Sequence, residues 1–179
     1  MKGILRCANV LKSQAASPMK ISCICIADMF GRSSTVRNMV DRILIERIIS
    51  DIKADIQDLR GCTDITWDVY RTDKRARRYV ERTLHITIEA CIDIAQHIIS
   101  DQGFREPTSY RDVFLVLAEN GIIPPSDLVK FENMASFRNL IVHYYERVDD
   151  SVVFSIFKNN LSDIELFVDR ILGYLERIS

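Results

Sequence analysis

The stretch that decides the fold is residues 79–99, YVERTLHITIEACIDIAQHII. Val80, Leu84, Ile88, Cys91, Ala95 and Ile98 recur at spacings of three and four. Only a helix brings such a series onto one face. The helix is predicted to start at Thr72, as its cap, and to run to about Asp101. Cys91 reads as a small core residue. Glu89 and Asp93, one turn apart, intrude near the apolar face. They predict ion pairs within the bundle or at a dimer contact, or polarity lent to a cleft. His85 and His97 read as surface or bundle-edge histidines.

The same period extends in both directions. Val40 to Leu59 is predicted as a helix with Leu44, Ile48, Ile52, Ile56 and Leu59 inward, Ile45 and Ile49 widening the stripe, and Gly61 as the stop. Residues 61–71 read as a loop, with Trp67 and Tyr70 folded back as a lid on the core. Pro107-Thr108-Ser109 opens a short helix through about Asn120, with Val113, Phe114, Leu117 and Ala118 inward and Gly121 ending it. Pro124-Pro125 opens the next, whose buried side is Leu128, Phe131, Met134, Ala135 and Ile141. Asp149-Asp150 caps a short helix through Lys158, and Leu161, Ile164, Val168, Ile171 and Leu175 define the last. Short links between amphipathic helices predict an all-α, antiparallel (up-and-down) helical bundle of four main helices plus one or two short ones. No internal repeat, glycine-rich phosphate loop or strand-like alternation of useful length interrupts this pattern.

Composition agrees with a globular protein of one domain: 179 residues, 47% hydrophobic and 27% charged, with only 6 glycines and 4 prolines. The net charge of −1 hides an asymmetry. Residues 1–38 carry six Lys/Arg and only Asp28, so residues 39–179 are acidic. Any nucleic-acid site must therefore be a local patch. Residues 1–38 read as an N-terminal extension, disordered or the product of an upstream start, with Met39 opening the helical domain at 39–179. Ile21–Phe30 is too short and too interrupted by Asp28 for a membrane span. The five cysteines show no CxxC pair or Cys/His spacing for zinc, which predicts reduced thiols in the cytoplasm.

One helix carries chemistry. In Ser136-Phe137-Arg138-Asn139-Leu140-Ile141-Val142-His143-Tyr144-Tyr145, a fixed cation, an amide, an imidazole and a phenol stand inside an apolar run. Arginine forks onto phosphate oxygens, and histidine exchanges a proton near neutral pH. At about 100° per residue, Asn139 and His143 share a face, as do Arg138 and Tyr145. Arg138 and His143 lie roughly 140° apart and border one face from two sides. The first turns of the helix that starts at Thr72 hold Arg71, Lys74, Arg75, Arg77, Arg78 and Arg82. Within an acidic domain, Lys74, Arg75, Arg78 and Arg82 are the candidate RNA-backbone contacts, against the blander reading of a solvated face.

Arg-x4-His-x-Tyr, with Asn after the Arg and helices 79–99, 107–123 and 137–172 in order, resembles the HEPN-domain toxins of the HepT type over residues 39–179. Such a chain would be a metal-independent endoribonuclease without cofactor, using Arg138 and His143, with Asn139 orienting the phosphate or His143. RNA supplies its own nucleophile, the 2′-OH, and one histidine cannot easily act as both base and acid. A dimer facing two motifs across a cleft meets that need, and the resemblance implies such a homodimer. It also implies a minimal nucleotidyltransferase antitoxin of the MntA type that transfers AMP to Tyr145, in preference to the adjacent Tyr144. The substrate would be tRNA or mRNA. The competing reading is a non-catalytic HEPN module assembling with a nucleotidyltransferase; the blander one is an interface network, with Arg138 on a carboxylate and His143 and Tyr145 as hydrogen-bonded edge residues.

Overall fold

The computed structural model describes residues 34–143 and 149–178, with side chains for 42–142 and 149–178. Seven helices account for the regular structure of these residues: α1 Ser34–Gly61, α2 Trp67–Thr72, α3 Lys74–Gln102, α4 Tyr110–Glu119, α5 Pro125–His143, α6 Asp150–Asn159 and α7 Leu161–Arg177. The protein is all-α, as the periodicity predicts. The four long helices are α1, α3, α5 and α7; the short ones number three, not one or two. The additional one is α2, inside the stretch 61–71 expected to be loop. Residues 1–33, most of the expected extension, lie outside the described residues.

α3 is the axis of the molecule and packs against all six other helices. This explains why its apolar stripe is so wide. Beyond the six residues that define the periodicity, Thr87, Ile92, Ile94 and Ile99 are also buried. Each fully buried Ile or Leu contributes about 1.5–3 kcal/mol, so the stripe alone commits this segment to the centre. The cap is Asp73, not Thr72. The Asp73 carboxylate accepts from the N–H groups of Arg75 (2.8 Å) and Ala76 (3.4 Å), as an N-cap should. The Thr72 hydroxyl is already spent on the Asp68 carbonyl at 2.6 Å. At the other end Gly103 takes a left-handed φ of 66°, which lets Phe104 N–H return to the Ile99 carbonyl at 3.0 Å.

The remaining helices lock onto this axis. Ile45, Ile49, Ile52, Ile56 and Leu59 of α1 are buried, whereas Leu44 is 38% exposed. Ile52, Ile56 and Leu59 are buried as expected, and in the first turns the stripe runs through Ile45 and Ile49 in place of Leu44 and Ile48. Trp67 and Tyr70 do form a lid: Tyr70 is fully buried, stacked on Trp67 at 6.1 Å, and both pack on Phe154 of α6. Ser109 caps α4 through the Asp112 N–H at 3.2 Å. Gly121, with φ 69°, makes the turn into α5. Phe114, Phe131 and Phe167 then join α4, α5 and α7, with ring centroids 5.4–5.9 Å apart. That aromatic contact fixes α5 against α4 and α7, and so helps decide where Arg138 lies. No helix among the described residues is long and apolar enough to cross a membrane.

Candidate active site

Arg138 projects from α5 onto both neighbours. Its Nε donates to Glu89 Oε2 at 2.5 Å and its Nη2 to Glu89 Oε1 at 3.0 Å. The guanidinium carbon stands 4.3 Å from the centroid of the Tyr110 ring on α4, within cation–π range. The Arg138 side chain is only 12% exposed. The Glu89 hydrogen bonds push its pKa up from an already high value, so it is a fixed cation. Glu89 takes the Nε edge, and among the described residues the Nη1 edge has no hydrogen-bond partner.

Glu89 belongs to a column on α3. His85 Nε2 is 3.6 Å from Glu89 Oε2, beyond hydrogen-bond reach, and is buried without a partner. On its other side, His85 Nδ1 lies 3.2 Å from Arg82 Nη1. Burial pushes the His85 pKa down, the Arg82 and Arg138 cations push the same way, and Glu89 opposes them. Burial, with Glu89 adding to it, pushes the Asp93 carboxyl up. Sequence spacing had marked Glu89 and Asp93 as intruding on the apolar face, and Glu89 does make an ion pair within the bundle. That His85 and Tyr110 would join it was not anticipated. Arg82, His85 and Glu89 follow one another at three and four residues, which was the signal available. His97 is exposed, as expected.

Beside this column runs a groove of about 720 Å³, lined by Arg75, Arg78, Arg82, His85, Ile86 and Ile141 among others. It gathers three of the four basic residues singled out from sequence. Lys74 is exposed at the start of α3 and is not among the lining residues. Arg77, from the same cluster, is committed to structure: it reaches Asp150 at 3.2 Å and Glu81 at 3.9 Å. Glu81 also accepts the Tyr70 hydroxyl at 3.3 Å. Ile141, expected as buried core, is only half-buried because it forms the groove wall. Asn139 is half-buried next to Arg138. His143 is the last residue of α5; its side chain, Tyr144 and Tyr145 lie outside the described residues. Among the described residues no His, Cys, Asp and Glu side chains are grouped to hold a metal ion.

A family model described as "Ribonuclease HepT-like" matches residues 52–171, more than half of the chain. The chain belongs to that family. It is 42% identical over 83 residues to the "mRNA nuclease HepT" of Shewanella oneidensis, covering 45% of this chain and 61% of that protein. The chain therefore aligns with less than two-thirds of that relative's length. It is 26% identical over 136 residues to the "tRNA nuclease HepT" of Aphanizomenon flos-aquae, covering 76% of this chain and 92% of that one. Among solved structures, the tri-AMPylated Shewanella oneidensis HEPN toxin in complex with MNT antitoxin superposes with a TM-score of 0.66. That match has 31% identity over 72% of this chain and 96% of that one. The HEPN-like architecture expected from the helix order is thus the one these relatives share.

Proposed function

We propose that the chain is the toxin component of a HEPN/MNT toxin–antitoxin pair and acts as a metal-independent endoribonuclease. The activity resides in residues 39–179, in the cytoplasm. The observation that carries this reading is Arg138: a buried, fixed cation whose Nη1 edge is unclaimed among the described residues, beside a groove lined by arginines. Arg75, Arg78 and Arg82 rise along α3 in steps of about 4.5–6 Å. That spacing suits successive phosphates of an extended single strand. Exposed cations of this kind supply affinity by displacing counterions.

In the proposed reaction, a neutral His143 removes the proton from the RNA 2′-OH. The oxygen attacks the adjacent phosphorus, and the bond to the 5′ oxygen breaks. A protonated histidine returns a proton to that leaving oxygen, giving a 2′,3′-cyclic phosphate and a 5′-OH. Arg138 neutralises the charge gathering on the phosphoryl oxygens, and Asn139 orients the phosphate or the imidazole. A second copy of the chain supplies the second histidine across a cleft, so the working form is a homodimer. The naming of relatives as mRNA and tRNA nucleases supports RNA as substrate.

A relative's AMPylated state alongside an MNT antitoxin supports regulation by a nucleotidyltransferase partner. Tyr145 is the acceptor we propose here. An AMP at that position would bring bulk and negative charge to a phosphate-binding site and repel substrate. The pairing of Arg138 with Glu89 favours a second reading, a non-catalytic module in which the arginine is structural. The test is incubation of purified protein with total cellular RNA in EDTA, beside Arg138→Ala and His143→Ala, with intact mass measured in parallel. Cleavage by wild type alone supports the nuclease. Absence of cleavage from an unmodified dimer supports the module.

A further inference from the structure

We propose that Glu89 is a positioning residue of the candidate site: its carboxylate fixes the Arg138 guanidinium so that the Nη1 edge faces the scissile phosphate. This inference rests on the ribonuclease reading and deepens it. Three contacts set the guanidinium in place. Glu89 holds the Nε edge through two hydrogen bonds, and the Tyr110 ring lies under the plane. The shaft is buried in the packing of α5, leaving 12% of the side chain exposed.

The charge logic favours a positioning role. A carboxylate beside a phosphate site repels the substrate, so its presence there calls for a compensating benefit. Arg75, Arg78 and Arg82 make no ion pair with a carboxylate among the described residues. They are exposed and able to follow a flexible chain. Of these arginines and Arg138, only Arg138 is held by a carboxylate among the described residues. Pinning costs net charge and supplies orientation, and orientation is what a developing transition state rewards.

Glu89 is itself steadied from behind. Arginine has no acceptor, so the 3.2 Å contact between Arg82 Nη1 and His85 Nδ1 requires His85 to accept there. The neutral imidazole then carries its proton on Nε2, which faces Glu89 Oε2 at 3.6 Å. At that distance the N–H makes no hydrogen bond, and its dipole acts on the carboxylate only through space, favouring the ionised form. The chain Arg82–His85–Glu89–Arg138 thus links the exposed groove to the pinned cation.

The experiment compares wild type with Glu89→Gln, Glu89→Ala and Arg138→Ala in EDTA. Single-turnover cleavage of a short single-stranded RNA is measured beside binding of the same oligonucleotide with 2′-O-methyl groups, which lacks the nucleophile. Melting curves identify variants that fail to fold. We expect Glu89→Ala to slow cleavage about 100-fold, as a misplaced catalytic group does, while binding of the 2′-O-methyl RNA is retained. Glu89→Gln, similar in shape and able to accept one of the two hydrogen bonds, is expected to recover part of the rate. Should Glu89→Ala unfold, Glu89→Gln carries the test: a reduced rate with retained binding supports the proposal, and an unchanged rate overturns it. Wild-type or faster cleavage by folded Glu89→Ala, with tighter binding, overturns Glu89 alone when Arg138→Ala is inactive. Wild type unable to cleave any RNA overturns the ribonuclease reading, and the role of Glu89 with it.

Discussion

Two arginines that reach α4 from outside it hold carboxylates in very different ways. Arg105 is 41% exposed and is gripped by two acids. Its Nε and Nη2 reach Glu119, and its Nη1 and Nη2 reach Asp112, all within 3.1 Å. Asp112 in turn accepts from Thr108 N–H and Oγ1. Every edge of that guanidinium is engaged, and the pair ties the segment before α4 onto the helix. Arg138 is far more buried, yet it has one acid and one aromatic face. A cation that is costly to bury and keeps an edge unclaimed among the described residues fits the proposed phosphate site. The exposed, saturated clamp reads as architecture; the buried, half-satisfied one is the site we propose.

The largest expected difference between them is chemical. Arg138→Lys keeps the charge and loses the fork, and is expected to lower the RNA cleavage rate by about 100-fold. Arg105→Lys in the same assay is expected to leave it unchanged. Equal effects from the two would erase the distinction. Next in size is the groove. Arg78→Gln combined with Arg82→Gln is expected to weaken RNA binding and to flatten its salt dependence by about 0.7 per arginine for a single strand. An unchanged salt slope would mean that these arginines do not touch phosphate.

Smaller effects concern stability. Asp55 is pushed up to about 6, chiefly by burial, with Asp58 and Asp51 adding and Thr87 opposing. The Thr87 hydroxyl lies 2.7 Å from the Thr83 carbonyl and 3.2 Å from Asp55. Where it donates to Asp55 it favours the ionised carboxylate, and so offsets only part of the effect of burial. Above pH 6 the ionised carboxylate opposes folding, and the strain is relieved as pH falls from about 6 toward the unfolded value of about 3.9. Asp55→Asn is therefore expected to stabilise the protein at pH 7.5 by about 1 kcal/mol, allowing for solvent screening. Its melting temperature should also lose the wild type's rise between those pH values. The smallest effect belongs to the exposed clamp. Arg105 holds the Asp112 carboxyl well below the usual carboxylate range. That contribution is present above about pH 4 and is lost as pH falls through the lowered value. Arg105→Ala should barely move the neutral melting temperature while flattening its decline in acid, as calorimetry across pH would reveal.

The helices were legible in the sequence because burial and periodicity coincide. Val80, Leu84, Ile88, Cys91, Ala95 and Ile98 are all buried where the spacing puts them. The misses are short-range competitions. Six residues, Trp67–Thr72, are too few to show a period, so α2 read as loop. Thr72 and Asp73 are both good caps, and the Asp68 carbonyl claims Thr72. Leu44 and Ile45 both fit a helical row, and the axis of α3 selects Ile45. At the site, sequence spacing pointed to Arg138 and to acids intruding on α3. It did not join Arg138 to Glu89, 49 residues apart, because that contact depends on how α5 packs against α3.

The most direct measurement is RNA cleavage in EDTA by Arg105→Ala and Arg138→Ala side by side with wild type, at a temperature where all three are folded. The distinction between the two clamps predicts wild-type cleavage from Arg105→Ala and loss of cleavage from Arg138→Ala. Equal cleavage by both variants would contradict it, and Arg138 would then be architecture as well.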